Sequence, residues 1–466
     1  MNKIKLCYIG GGSKNWARVF MSDLAMTDGL CGEIALYDID IVAAKRNASI
    51  GNYINEDEKT LSRFDYKVYE TLDDALVGSD FVVISILPGT FKEMHSDVHA
   101  PEEYGVYQSV GDTVGPGGVL RAMRTVPVYE TFAKKIAERC PDAWVINYTN
   151  PMSVCTKVLY DVFPEIKAFG CCHEVFHAQE FLALVLREEK GINVSRKDVY
   201  TDASGINHFT FITEARYKNI DLLSLIPSFM GKYYEEGYFE RGDRFLFKTD
   251  PFAYGNKIKM DLYARYHALG AAGDRHLAEF FPNTWYLKDP ETVKNWKFGL
   301  TTVDYREKRQ KEQIEETILY AEGKKKFELK KSDEEGVELI KALLGLQTVV
   351  TNVNLPNKGQ APDLPLGAIV ETNCVFSNDL CRPVTANRLP VAVLNHVERN
   401  LLNEELTYEG IKERDLGKIF LAFINQPLLG TLSFSDAEML FKKMCYNTAE
   451  YLTPYFDLDG YFNKTK

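Results

Sequence analysis

The chain has no long hydrophobic run, no excess of positive charge, no paired-cysteine framework and no low-complexity tract, and each absence closes off a class of protein. The apolar stretch beginning at Phe81 breaks at Pro88, short of the roughly 18 uninterrupted apolar residues that a membrane span needs. The 55 basic residues are outnumbered by 66 acidic ones, a net charge of −11, so neither nucleic acid nor an anionic membrane is an expected partner. The 9 cysteines are an odd number scattered through strand-like runs, among them the adjacent pair Cys171 and Cys172. They do not resemble the disulfide framework of a small secreted domain, and free thiols are expected. The first residues pass directly into an apolar strand and a glycine turn without an apolar targeting region or cleavage site, which predicts a cytoplasmic protein. There is no internal repeat.

What is present is apolar material for a sizeable core. Of 466 residues, 45% are hydrophobic and 26% charged; at roughly 100–200 residues per domain this suits two or three domains. Short apolar runs at Lys5–Ile9, Ile34–Tyr37, Phe81–Ile86 and Ala143–Ile146 each end at a polar or glycine-bearing turn, with helical patterns between them. That alternation predicts a parallel α/β sheet. A helix is expected over Val175–Glu189 and a strand over His208–Thr213, with a domain junction near Ser195. The expected division is an N-terminal domain over 1–195 and a mixed α/β (α+β) domain over 196–466, sharing an interface. The run Arg306–Lys331, dense in Glu and Lys at helical spacing, reads as a solvated helix face.

Gly10, Gly11, Gly12 and Ser13 follow the first apolar strand and precede an amphipathic stretch, Trp16–Leu24. Glycines let a backbone approach a pyrophosphate, and helix N-terminal amides supply the positive end of a dipole. The second strand ends at Asp38, 26 residues after Gly12, a little beyond the roughly 20 usual for a carboxylate that binds ribose hydroxyls. Asp38 favours NAD over its phosphorylated form, and Asp40 competes for the same role. Because the run is G-G-G-S and not G-x-G-x-x-G, an ordinary tight turn stays open as the alternative. Pro88, at the end of the third strand, lies where a sheet edge faces a ligand, or marks a plain strand-to-helix turn.

Three blocks follow strand-like runs: NYTNPMS from Asn147, GCCHE from Gly170 and GINH from Gly205. A thiolate and an imidazole from two strand ends could hold a divalent metal with positions left open for vicinal hydroxyls. A buried small cysteine and a satisfied core histidine are the alternative.

Taken in order, IGGGS, ALYDID, GDTVGPGG, NYTNPMS, GCCHE, GINHF and AAGDRHLAEFFP resemble glycoside hydrolase family 4, and the last block is most similar to its α-galacturonidase members. The resemblance runs from Lys3 to the final helices. It implies a Rossmann-like, doubly wound NAD-binding domain joined to a mixed α/β substrate domain, bound NAD, a divalent ion such as Mn2+, a small glycoside substrate and a homo-oligomer, dimer or tetramer. By the same resemblance Cys172 and His208 are metal ligands, Asn150 holds substrate hydroxyls, and Asp261 is the base. His173 stands where some members place an acidic proton donor, so either it or a water serves. Arg275 and His276 form a basic pair suited to a carboxylate, or else an interdomain ion pair. NAD-dependent members of this family stand outside the two-carboxylate scheme. The implied route is oxidation at carbon 3, deprotonation at carbon 2, elimination of the aglycone, addition of water and re-reduction. Rivals are an α-glucuronidase, α-galactosidase or 6-phospho-α-glucosidase, an NAD-dependent uronate or polyol dehydrogenase, and a sugar sensor without chemistry.

Overall fold

A computed structural model describes residues 1–239 and 245–464. Among the described residues thirteen strands form one sheet. They are β1 (Asn2–Ile9), β2 (Leu30–Tyr37), β3 (Phe64–Val68), β4 (Phe81–Ile84), β5 (Trp144–Asn147), β6 (Lys167–Gly170), β7 (Tyr200–Ile206), β8 (Phe209–Tyr217), β9 (Ile220–Asp221), β10 (Leu269–Gly270), β11 (Val349–Pro356), β12 (Ile369–Ser377) and β13 (Leu380–Pro383). The first six lie parallel in the order β3-β2-β1-β4-β5-β6, the doubly wound order of a dinucleotide-binding sheet. Antiparallel strands then extend it: β11 joins β6 through Asn354 and Gly170, followed by β12, β7, β8 and β10.

The parallel half is built from residues that must be buried on both faces. Every residue of β4 and β5 is buried, so these strands read as unbroken apolar runs. Their side chains divide by alternation. Val82, Ile84 and Val145 enter a core beneath the helix Gly115–Arg139 and the C-terminal helices, while Phe81, Val83, Trp144 and Ile146 enter a second core with the helix Trp16–Ala25. At about 25 cal/mol per Å2, full burial of each such side chain contributes on the order of 2 kcal/mol, so a single charge at any of these positions would undo the layer.

The structure refines two expectations. His208 does not begin a strand: Ile206 pairs with Phe209, and Asn207 and His208 form the two-residue tip of the β7–β8 hairpin. His208 has φ 63, a left-handed conformation that a non-glycine residue adopts only where its surroundings hold it. The charged run is helical only as far as Ala321, in the helix Val303–Ala321, and that helix is mostly half-buried, so it is not wholly a solvated face. Val303 is buried, and the guanidinium of Arg306 lies 5.6 Å from the centre of the Phe252 ring. Among the described residues no helix is long and apolar enough to cross a membrane.

Candidate active site

The C-terminal ends of β5 and β6, where open parallel sheets receive ligands, gather most of the polar blocks singled out in the sequence. The glycine turn between β1 and the helix Trp16–Ala25 is closed by Gly10 and Gly11, whose amides both donate to the Tyr37 carbonyl at 2.9 Å. A methyl group on Gly12 would meet Asp38 Oδ2 at 2.8 Å, so the turn presses against the end of β2. Asp38 accepts from the Gly12 amide at 2.8 Å and from the Asp40 amide at 2.8 Å. Asp40, its rival for a ribose, instead caps the next helix through Ala43 and pairs with Lys14. Asn15, at the start of the helix Trp16–Ala25, offers no side-chain cap, leaving the first amides of that helix for a ligand. Glycines that any Cβ would obstruct, open amides and an anchored carboxylate fit a dinucleotide. Pro88 sits beyond β4, where its carbonyl faces Arg124 Nε at 3.5 Å.

Next to this turn lies a connected set of titratable groups. His173, just past β6, has its ring 5.9 Å from that of Trp16, the first residue of the helix that follows the glycine turn. Its Nδ1 lies 3.1 Å from Glu334 and its Nε2 3.7 Å from Glu174. Burial alone would discharge this imidazole, but the Glu334 hydrogen bond and the Glu174 charge prevail and push it up to about 9. His173, Glu174 and His177 hold donor atoms within 4.8 Å of one another. Glu174 also reaches His276 Nε2 at 3.5 Å and accepts from the Gly273 amide at 2.6 Å. The ring of His276 lies against that of His208, with centroids 3.9 Å apart.

One chain of hydrogen bonds fixes the chemical state of His208. The Thr113 hydroxyl donates to Asp112 at 2.8 Å and lies 3.1 Å from His208 Nδ1. Asp112 accepts only, because after the cost of its burial the Arg121 guanidinium, 3.2 Å away, and the neighbouring histidines hold it at about 2. With its single proton committed to Asp112, the Thr113 oxygen accepts from His208 Nδ1–H, which leaves Nε2 with a free lone pair. Burial, reinforced by His276, depresses His208 to about 3, so the ring is neutral. Cys172 is buried beside Asn207, and burial first, then the Glu371 and Glu174 charges, raise its thiol far above the ordinary value. A thiolate there calls for a cation at hand. Two buried acceptors, Asn150 Oδ1 and Asn207 Oδ1, have no hydrogen-bond partner among the described residues. Sulfur, imidazole and carboxylate donors with unspent amide oxygens fit a divalent transition metal and a polyol.

Two anticipated residues are placed differently. Asp261 does not join this group. From the helix Lys257–Tyr266 its carboxylate accepts from Tyr234 at 2.9 Å, Tyr286 at 2.7 Å and Arg265 at 2.8 Å. Arg275 is not a free fork either. Its Nε donates to the Gly299 carbonyl, and its Nη2 donates to the Ser109 carbonyl and the Thr301 hydroxyl. It braces a loop, whereas His276 alone of that pair enters the cluster. Asp112, Glu174, His177 and Glu334 were not singled out from the sequence; Asp112 and Glu174 lie inside GDTVGPGG and GCCHE, and Glu174 directly follows His173.

Fold and site together bring a dinucleotide-type sheet and a cluster of imidazole and carboxylate groups to one place, with the buried thiol of Cys172 near Glu174. The chain belongs to glycoside hydrolase family 4: the model "Family 4 glycosyl hydrolase" matches residues 5–188 and that of the family's C-terminal domain matches 203–429. It is therefore a glycosidase. It is 51% identical to an alpha-galacturonidase of Thermoanaerobacterium saccharolyticum over 97% of both chains, and 46% identical to one of Bacillus subtilis over 95% of this chain and 97% of that one. The crystal structure of LplD from Bacillus subtilis matches with a TM-score of 0.90 at 46% identity, covering 95% of this chain and all of that one. A 6-phospho-alpha-glucosidase from gut microorganisms, solved with NAD and Mn2+, shares the fold at a TM-score of 0.78 and 19% identity, over 97% of this chain and 99% of that one.

Proposed function

We propose that this glycosidase hydrolyses α-linked galacturonides with NAD and a divalent metal, Mn2+ first among candidates, as resident cofactors. The observation that carries the reading is the continuous path from the glycine turn through Trp16 and His173 to Glu174, His276, His208 and Asp112, which supports taking the two ends as a dinucleotide cradle and a metal-ligating centre. The identity of 46–51% to alpha-galacturonidases over nearly the whole chain supports the substrate.

Cys172 and His208 would hold the metal, and Gly10 through Ser13 with Asp38 the dinucleotide. When bound, the pair supplies reversible hydride transfer and a positive charge at the substrate's oxygens, so the cofactor ends as it began and the net reaction is hydrolysis. The chain's own groups do the rest. Thr113 and Asp112 keep Nε2 of His208 unprotonated. Asn150 Oδ1 and Asn207 Oδ1 accept from sugar hydroxyls. His173, charged at neutral pH beside Glu334, holds a proton that can pass to the departing glycosidic oxygen. Asp261, with three donors already on its carboxylate, is assigned to holding its helix and not to proton abstraction.

The test is release of nitrophenol from 4-nitrophenyl α-D-galacturonide, with the glucuronide, galactoside and 6-phosphoglucoside in parallel, each with and without NAD, Mn2+ and a thiol reductant. Release from the galacturonide only with all additions, and with no net NADH, is the expected result. Accumulating NADH without bond cleavage would replace hydrolysis with a dehydrogenase.

A further inference from the structure

Three guanidinium groups converge on one side chain. The ring of Phe252, 38% exposed, has Arg275 at 4.9 Å, Arg306 at 5.6 Å and Arg309 at 5.7 Å from its centre. Arg275 is committed to the Gly299 and Ser109 carbonyls and the Thr301 hydroxyl. Arg306 and Arg309 are not: among the described residues neither guanidinium makes a hydrogen bond or an ion pair. Like charges gathered at one ring repel, and one quadrupole offsets little of that repulsion, so the arrangement favours an anion between them. The cluster adjoins the candidate active site. Arg306 lies within electrostatic reach of Asp112 and Glu279, and Asp112 bonds the Thr113 hydroxyl that fixes His208. Asp112 itself is already paired with Arg121.

We infer that Arg306, with Arg309 across the exposed face of Phe252, binds the carboxylate of the hexuronate substrate and sets the preference for the acid over the neutral sugar. The inference rests on the proposed galacturonidase reading and adds the residues that carry its selectivity. A planar guanidinium on the second turn of the helix Val303–Ala321 can meet a carboxylate with two parallel hydrogen bonds, which a neutral hydroxymethyl group cannot match. The ring of Phe252 keeps the two cations oriented and excludes water from one side of the pair. Arg309, more exposed, supplies long-range attraction and responds to salt, whereas Arg306 is half-buried and makes the directed contact.

The test compares wild type, Arg306→Ala, Arg306→Lys and Arg309→Ala, with Lys311→Ala as an exposed charge-loss control on the same helix. Each protein is assayed with NAD and Mn2+ on 4-nitrophenyl α-D-galacturonide and on the matching galactoside. In parallel, the affinity of each for free galacturonate and free galactose is measured by calorimetry. Losing a hydrogen bond to a charged group predicts a fall of about 10- to 150-fold in kcat/KM for the galacturonide with Arg306→Ala. Arg306→Lys should recover part of it, Arg309→Ala should lose less, and the galactoside rate should not change. Equal losses on both substrates, or no loss on the galacturonide, would overturn the assignment. If wild type cleaves no galacturonide, the proposed function fails, and calorimetry then decides this inference separately. A preference for galacturonate over galactose that Arg306→Ala abolishes upholds the site; no preference in wild type, or one the variant retains, refutes it.

Discussion

Gly10→Ala tests whether the glycine turn is a dinucleotide cradle whose shape the sheet enforces. At φ +96 an L-residue is strained, at a cost of on the order of 1–3 kcal/mol. The new methyl would also stand 2.0 Å from the Ser85 carbonyl oxygen, where contacts under 3.0 Å essentially never occur. That oxygen cannot swing aside cheaply, because the Ile86 amide of the same peptide unit donates to the Thr149 hydroxyl at 3.0 Å and so holds the plane in place. Relieving the overlap means giving up that bond, about 1 kcal/mol more, for a total of about 2–4 kcal/mol. Gly78→Ala is the matched control: it has φ +70, but a methyl there would meet nothing within 4 Å, so only strain of about 1–2 kcal/mol applies. Urea unfolding followed by tryptophan fluorescence gives both stabilities, and calorimetric titration with NAD gives both affinities. Gly10→Ala should be the less stable of the two and should bind NAD weakly, while Gly78→Ala binds it as wild type does. Equal stabilities with undiminished NAD binding by Gly10→Ala would refute both the steric argument and the placement of the cofactor.

Thr113→Val removes the hydroxyl that fixes the His208 tautomer, so Mn2+ affinity should fall by about 10- to 100-fold, read by calorimetry, with little change in Tm without metal. Unchanged affinity would mean that Nε2 is not a ligand. Glu279 has its carboxyl pushed up to about 7, by burial first, against the Val110 and Gly111 amides it accepts from. An acid with a raised folded value costs nothing below its unfolded value and costs fully above the folded one, so the destabilisation enters between about 4.5 and 7. The stability of Glu279→Gln relative to wild type should therefore rise across that window, and a constant difference from pH 4 to 8 would contradict it. Asp261→Asn should lower stability by about 1–3 kcal/mol, since the Tyr234 and Tyr286 hydroxyls and Arg265 lose a shared acceptor, while kcat stays near wild type. A kcat loss of about 100-fold or more at unchanged stability would restore Asp261 as the base.

The contrast between Asp261 and Arg306 marks where sequence reading reaches its limit. The parallel half of the sheet was legible because two-sided burial writes itself into the chain as apolar runs ending at glycine or polar turns, as at Phe81 and Trp144. Cys172 and His173 were legible for a related reason: they follow β6 directly, so strand direction delivers them to the sheet edge that receives ligands, whereas β7 runs antiparallel to β6 and His208 is brought near them by the register that aligns Gly205 with Glu371, Asn354 and Gly170. A helical residue has no such guarantee. The carboxylate of Asp261 is taken up by Tyr234, Tyr286 and Arg265, and only the packing of that helix decides which side meets the ligand. Arg306 carried the opposite ambiguity. Surrounded by Glu and Lys at solvent-face spacing, it shares their composition, and what separates it is Phe252, more than fifty positions earlier, whose ring turns a surface charge into half of a carboxylate clamp. In the proposed clamp, selectivity for an anionic sugar would depend on a contact between two segments that neither segment announces. Exchanging Phe252 for leucine, which keeps the apolar bulk and removes the quadrupole, should weaken galacturonate binding without altering the Mn2+ affinity of the His208 centre.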